Sequence, residues 1–325
     1  MCIRVISVAA VSVAVLTGTQ YAAVQSNGTG GGDFHTAATW SEGVVPSPST
    51  SWEILPGDTV TASQSLSLRG WGTGVIAGTL DLGTLDINLG AGALGGFTLQ
   101  IPSGGALTGR RIFTNRTVRD SVGMIELTGG SLTFTDAIHL TKTHEETSSA
   151  SSFLMRGGTL NGGTHEFRLW GGNADSRATL TVIGNGGAWN VGPLTLFNTD
   201  GGTEQSATEV RFIFENEVGE DALTALNCTS FTLGGNALYI DFTNIPRGDT
   251  AASYSTTLID YSGTLTGSFA EPVFIGLRSG ESATLVHDPV NTMFRVDYTL
   301  SAVPEPASLG ILALVGTALR RRRHV

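Results

Sequence analysis

The chain has 325 residues, 44 of them glycine, with 18 basic and 28 acidic side chains and a net charge of −10. Lys142 is its single lysine and no basic stripe runs through it, which argues against nucleic acid as a partner. Cys2 and Cys228 are the only cysteines, and one lies in the extreme N-terminal segment, so a staple of internal disulfides is excluded and stability must come from packing.

Arg4 supplies a short basic start, and Val5 to Leu16 is an apolar run. Small and polar residues follow, with Ala22-Ala23 as the expected cleavage point. This predicts a signal helix over residues 1–23, removed on export together with Cys2. Loss of Arg4, the four terminal arginines and Glu305 leaves 13 basic and 27 acidic residues from the starting 18 and 28, a net charge near −14. Such a body stays soluble and repels anionic polymers unless divalent cations bridge them.

From Val24 to Leu300 helical periodicity is nearly absent. Short apolar and β-branched runs such as Met124-Ile125-Glu126-Leu127-Thr128 and Ala178-Thr179-Leu180-Thr181-Val182-Ile183 alternate with glycine-rich turns, which predicts an all-β protein. A weak repeat runs through them. Gly104-Gly105-Ala106-Leu107, Gly129-Gly130-Ser131-Leu132, Gly157-Gly158-Thr159-Leu160 and Gly186-Gly187-Ala188-Trp189 share one pattern. Gly78-Thr79-Leu80 is a partial earlier copy and Gly234-Gly235-Asn236-Ala237-Leu238 a later one. The large residues fall at 80, 107, 132, 160, 189 and 238, with gaps of 27, 25, 28, 29 and 49, the last near two periods. A period of 20–30 residues predicts a parallel β-helix, each coil burying its apolar face on the next, with glycine supplying positive φ at the corners. The competing reading is a sandwich of hairpins with Gly-Gly turns, which has no reason to space its turns this regularly. The solenoid is expected over 24–208. Residues 209–300, richer in aromatics, are expected to form a C-terminal antiparallel β cap over its last coil.

Two stretches of the body carry a resemblance. Thr39-Trp40-Ser41-Glu42-Gly43-Val44-Val45-Pro46, followed by Gly57-Asp58-Thr59-Val60-Thr61, resembles the opening coil of autotransporter-like surface proteins. The run from Phe231 to Phe242, with Tyr254, Tyr261, Phe269 and the closing Phe294 to Tyr298, is similar to the C-terminal end of the same group.

Sites are sparse. His139, Lys142, His144, Glu145 and Glu146 form the densest ionisable cluster, yet show no metal-ligand spacing, and His139 and His144 would face opposite sides of a strand. Arg110, Arg111, Arg116, Arg119 and Asp120 would suit a polysaccharide lyase, whose chemistry needs accompanying acidic residues that are thin here. Asp81, Asp86 and Asn88 offer oxygen ligands for calcium but lack a calcium repeat. Of the five tryptophans, Trp189 is expected in the core and Trp170, at a turn, exposed. No nucleophile elbow, phosphate loop, zinc motif or dinucleotide fingerprint is present, so no catalytic residue, metal or cofactor is assigned.

The chain closes on Pro304-Glu305-Pro306, an apolar run from Ala307 to Leu319, and Arg320, Arg321, Arg322 and Arg323. Thirteen helical residues reach roughly 20 Å, short of a ~30 Å hydrocarbon core. The arginines favour the cytoplasmic side. This three-part signal over residues 301–325 resembles the PEP-CTERM sorting tail of exported bacterial proteins. The resemblance implies a short transmembrane helix that holds the chain in the inner membrane until an exosortase-type processing enzyme cuts at Pro304-Glu305-Pro306. The sequence thus leads to an exported, non-enzymatic surface or matrix protein, with exopolysaccharide as its expected partner. The alternative is a polysaccharide lyase or glycosidase on a β-helix scaffold.

Overall fold

The computed structural model describes residues 23–90, 95–114, 121–141, 150–171, 177–198 and 208–302. The expected signal helix and the sorting tail, with Pro304, Glu305, Pro306 and the four arginines, lie outside the described residues. Among the described residues the only helix is a 3-10 turn at Ala37–Thr39, and none is long and apolar enough to cross a membrane.

The chain winds into a parallel β-solenoid of about seven turns. The coils run through three faces in the same order, and the strand Ser121–Thr141 passes through all three without a break. The second face shows why the repeat exists. Val60, Leu80, Leu107, Leu132, Leu160, Trp189, Leu226 and Ile259 stand in register, each above the last. All point inward and none is more than 1% exposed. On the first face the equivalent inward row is Leu99, Ile125, Phe153, Leu180, Val210 and Leu238. On the third it is Leu66, Ile87, Ile112, Ile138, Phe167, Leu194 and Phe231. Along most strands inward apolar residues alternate with outward, mostly polar ones, and the three inward rows close on a single core.

The expected alignment of Leu107, Leu132 and Leu160 is therefore correct, and the hairpin sandwich is not the fold. Leu238 is a correction. It stands on the first face over Val210, and the residue above Trp189 is Leu226. The coil between those two is 37 residues long because residues 216–225 form an excursion, and this displaces the repeat that spacing alone placed at 238.

The paired glycines need revising as well. Gly105 has an ordinary φ, but a Cβ there would lie 1.8 Å from the Ile76 carbonyl oxygen of the coil beneath. A Cβ on Gly130 would lie 2.5 Å from the Gly105 carbonyl. Gly105 and Gly130 are thus required by close approach of stacked corners and not by a left-handed backbone, whereas Gly158 combines both, with φ +80 and the Gly130 carbonyl oxygen 2.2 Å from a Cβ.

The first coil is plugged by aromatic packing. Trp40 donates its Nε1 proton to the Phe34 carbonyl at 2.8 Å, and Phe34 meets the Trp40 and Trp52 rings edge-on at 5.0 and 5.4 Å. Asp58, 3% exposed, latches the preceding glycine-rich segment by accepting from the Ser26 hydroxyl and the Gly28 and Gly30 amides. Burial opposes its ionisation, yet the Ser26 hydroxyl and the two amides outweigh that and hold its carboxyl below the usual range. The Gly57-Asp58 pair singled out in the sequence is this latch.

At the other end the parallel stack does not stop at residue 209. It continues through Thr208–Glu215 and Ala237–Asn244 to Val273–Ile275. The antiparallel part is smaller: Met293–Leu300 pairs with Ala252–Tyr261 on one side and Ser282–Asp288 on the other. Phe294 meets the Phe231 and Phe269 rings at 6.0 and 5.5 Å, and Tyr298 meets Phe214 and Phe242 at 5.2 and 5.1 Å. These antiparallel strands therefore bury their inward rings against the last coils.

Candidate functional site

The outward residues of the three faces differ in chemistry. The third face gathers the charges. Arg110 grips Asp86 with two bonds of 2.9 and 2.8 Å, and Arg111 reaches the same carboxylate at 2.8 Å. Burial opposes ionisation of Asp86, but the two guanidiniums prevail and bring its pKa to about 2. The Arg111 guanidinium also lies 4.9 Å from the Phe113 ring centre. One coil on, His139 stands in register with Phe113, and its Nε2 is 3.6 Å from Glu166. Glu166 also accepts from Arg168 at 2.8 Å and from the Thr195 hydroxyl at 2.7 Å. There too burial opposes ionisation, and the His139, Thr195 and Arg168 contacts outweigh it, giving a pKa of about 2.

The fold thus brings two clusters that are separate in sequence onto successive coils of one face. Arg110 and Arg111 bridge to Asp86 of the coil beneath, Arg168 pairs with Glu166 on its own strand, and His139 of the neighbouring coil lies beside Glu166, so the described members of both clusters sit against acids. Arg116, Arg119, Asp120, Lys142, His144, Glu145 and Glu146 lie outside the described residues. The calcium candidates do not converge. Asp81 is on the second face while Asp86 and Asn88 are on the third, and Asp86 is already occupied by two guanidiniums. Among the described residues no group of three or more His, Cys, Asp or Glu is placed to hold a metal ion. Burial, then nearby Asp260, pushes the Cys228 thiol up to about 12, so this cysteine behaves as an apolar core residue.

The tryptophans also sort out. Trp40, Trp52 and Trp189 are core residues at 2%, 0% and 1% exposure. Trp170 is half-buried, near the end of the third-face strand Glu166–Gly171. The exposed indole is Trp71, at 80%, on the corner between the third and first faces.

The second face was missed by sequence reasoning, although its signal was visible as Thr-Val-Thr, Ser-Leu-Thr and Thr-Leu-Asn triplets. Its outward row runs Asp33, Thr61, Asp81, Thr108, Thr133, Asn161, Asn190, Asn227 and Asp260, one residue per coil. A second row beside it runs Thr59, Thr79, Ala106, Ser131, Thr159 and Ala188. Neither row holds a basic, aromatic or long side chain. From Ala106 to Asn227 neither holds a charge.

The longer row leads into a cleft of about 660 Å³. Glu220, Asp221 and Thr224 supply one wall, and Ala188, Asn227, Thr257, Asp260 and Met293 line the rest. The wall is the 216–225 excursion, and it is pinned. The Thr224 hydroxyl accepts from the Gly187 amide at 3.1 Å, Tyr298 Oη accepts from the Gly219 amide at 3.0 Å, and the Thr256 hydroxyl donates to the Gly219 carbonyl. Ala222 and Leu223 are buried beneath it. The cleft is thus preformed, and its exposed acids come from elements far apart in sequence.

No family model, curated protein or solved structure matches the chain.

Proposed function

We propose that the chain is an exported bacterial cell-surface or extracellular-matrix protein, non-enzymatic, sorted through its C-terminal tail and structural or adhesive in an exopolysaccharide layer. The observation that carries this reading is the tail itself: Pro304-Glu305-Pro306, an apolar run too short to span comfortably, and Arg320 to Arg323. The Pro-Glu-Pro start is what a plain anchor leaves unexplained. An N-terminal signal helix over residues 1–23 would bring the body across the inner membrane, and the tail helix would hold it there until an exosortase-type enzyme cuts. A β-solenoid suits the released body, because stacked coils present long regular faces with few open sheet edges. Mass spectrometry of surface material tests the reading. The expected mature chain starts near Val24 and ends near Pro304. A surface form still carrying Leu309 to Leu319 would overturn it.

A second reading, glycoside hydrolysis, is kept by one observation: Glu220, Asp221 and Asp260 line the same cleft. Paired carboxylates flanking a sugar chain are what such chemistry needs. An assay for new reducing or unsaturated sugar ends, with the purified chain on neutral and acidic polysaccharides, separates the two.

A further inference from the structure

We propose that the second face and its cleft form one continuous binding site for a neutral, hydroxyl-rich polysaccharide, laid along the solenoid axis with one end in the cleft. The inference deepens the matrix reading above and rests on it for the kind of polymer the chain would meet.

Three features of the face select this ligand. The first is what its side chains leave unpaired. Among the described residues, the hydroxyl or amide groups of Thr108, Ser131, Thr133, Thr159, Asn190 and Asn227 make no side-chain hydrogen bond within the protein. On the first and third faces the long charged and amide side chains are instead paired with each other, as in Gln100 with Glu126, Arg211 with Glu209, and Arg168 with Glu166. Groups that are both donors and acceptors, held on a rigid sheet, complement a ligand that is itself both, and sugar hydroxyls are that.

The second feature is charge. The uncharged stretch from Ala106 to Asn227 offers nothing to a phosphate, a sulfate or a uronic acid. The charges that do occur on the longer row, Asp33, Asp81 and Asp260, are all negative, as are Glu220 and Asp221 in the cleft. An anionic polymer is repelled at both ends of the path and meets no cation between them. A neutral sugar chain is not repelled, and carboxylates at the cleft can each accept from two of its hydroxyls.

The third feature is geometry. Coils repeat at about 4.8 Å, and the two rows stand about 6.8 Å apart, two residues along a strand. A polymer lying along the axis therefore meets a polar group of the longer row at every coil, and a second from the shorter row wherever that row is not alanine. The cleft falls within the ~300–1,000 Å³ range of small-molecule sites, room for a few sugar units at the end of that track. Its wall exists only because the coil from Trp189 to Leu226 carries the 216–225 excursion, which no other part of the face requires.

The test is affinity electrophoresis of the full-length chain in mild detergent, through gels containing dextran, mannan, laminarin or polygalacturonate, the last with and without calcium. At least one neutral polymer should retard the chain. Asn190→Arg and Thr159→Arg, both on exposed outward positions, should each weaken that retardation at least tenfold, and Asp260→Ala should weaken it at the cleft. Ser67→Arg, equally exposed on the third face, should leave it unchanged. Circular dichroism confirms that each variant keeps the β-solenoid, so a folding defect is not mistaken for lost binding. Retardation by no neutral polymer, by polygalacturonate alone, or with equal loss in Ser67→Arg and Asn190→Arg overturns the proposal. The two readings fail separately. A mature chain found in surface material but retarded by no neutral glycan sinks this inference and leaves the matrix reading standing. A chain retarded as described but never found outside the cell does the reverse.

Discussion

Arg247 and Glu281 form a two-pronged ion pair almost wholly out of water. Nε meets Oε1 at 2.8 Å and Nη2 meets Oε2 at 2.9 Å, with the side chains 3% and 0% exposed. Arg247 also donates to the carbonyls of Phe242, Ile245 and Gly276, and Glu281 accepts from both the amide and the hydroxyl of Ser301. The pair therefore ties a first-face coil to the residue at which the antiparallel strands end and the tail begins.

Breaking that pair from one side should be costly. Arg247→Met leaves a carboxylate buried without its cation, and about 3–5 kcal/mol of stability should go with it. Arg247→Met with Glu281→Leu should recover much of the loss, because no charge is then stranded. Urea denaturation followed by circular dichroism measures both. Equal stability of the single variant and the parent would show that the pair is solvated in solution.

Acid should loosen the protein in a defined window. The Arg247 contact, with the Arg278 amide and Ser301, holds Glu281 at about 2 against an ordinary 4.5. Asp86 and Glu166 are also depressed to about 2. A depressed carboxylate stabilises the fold fully above its unfolded pKa and loses that contribution as pH falls toward its folded one. Thermal midpoints should therefore hold from neutrality to about pH 5 and then drop steeply between about 4.5 and 2. Glu281→Gln should flatten part of that drop. A midpoint that rises on acidification would contradict the assignment.

The corner glycines should separate by space, not by sequence pattern. Gly105→Ala forces a methyl against the Ile76 carbonyl and should destabilise by at least about 1–3 kcal/mol or prevent folding. Gly163→Ala, at φ +55 with open space around it, should cost only about 1 kcal/mol. Expression yield and denaturant midpoint distinguish them. Similar costs at both sites would remove close approach as the reason for the repeat.

Truncating the second-face core row should hurt more at its middle than ordinary surface change. Leu160→Ala removes packing between Leu132 below and Trp189 above, and a loss of about 2–5 kcal/mol is expected. Indole fluorescence should report it, since Trp189 is the next residue in the stack. A loss under 0.5 kcal/mol, roughly the surface range, would mean the row is not the core.

Replacing Pro304-Glu305-Pro306 by alanines should leave the chain uncut and held in the inner membrane. Replacing Arg320 to Arg323 should instead weaken retention before cleavage. Fractionation with immunoblotting of the body reads both. Unaltered release in the first variant would remove the processing role of that motif.

The sequence by itself determined the class of fold and the spacing of its coils. Alternation of period two, glycine pairs at 25 to 29 residues, and a large apolar residue after each pair are local facts, and stacking is the one arrangement that buries all of them at once. It also determined what the chain lacks: disulfide staples in the body and a basic stripe. Only the tertiary structure decided which distant residues share a face. It set His139 of one coil beside Phe113 of the coil beneath, placed Leu238 on the first face, and drew Glu220, Asp221 and Asp260 around one cleft. The reason is that a coil's length is free wherever a corner tolerates an excursion. Residues 216–225 shift every later position without disturbing the core, so sequence distance ceases to report spatial register. The outward rows were hidden for a related cause. Threonine, asparagine and serine are ordinary in any exposed strand, and only the stacked register turns them into a continuous track.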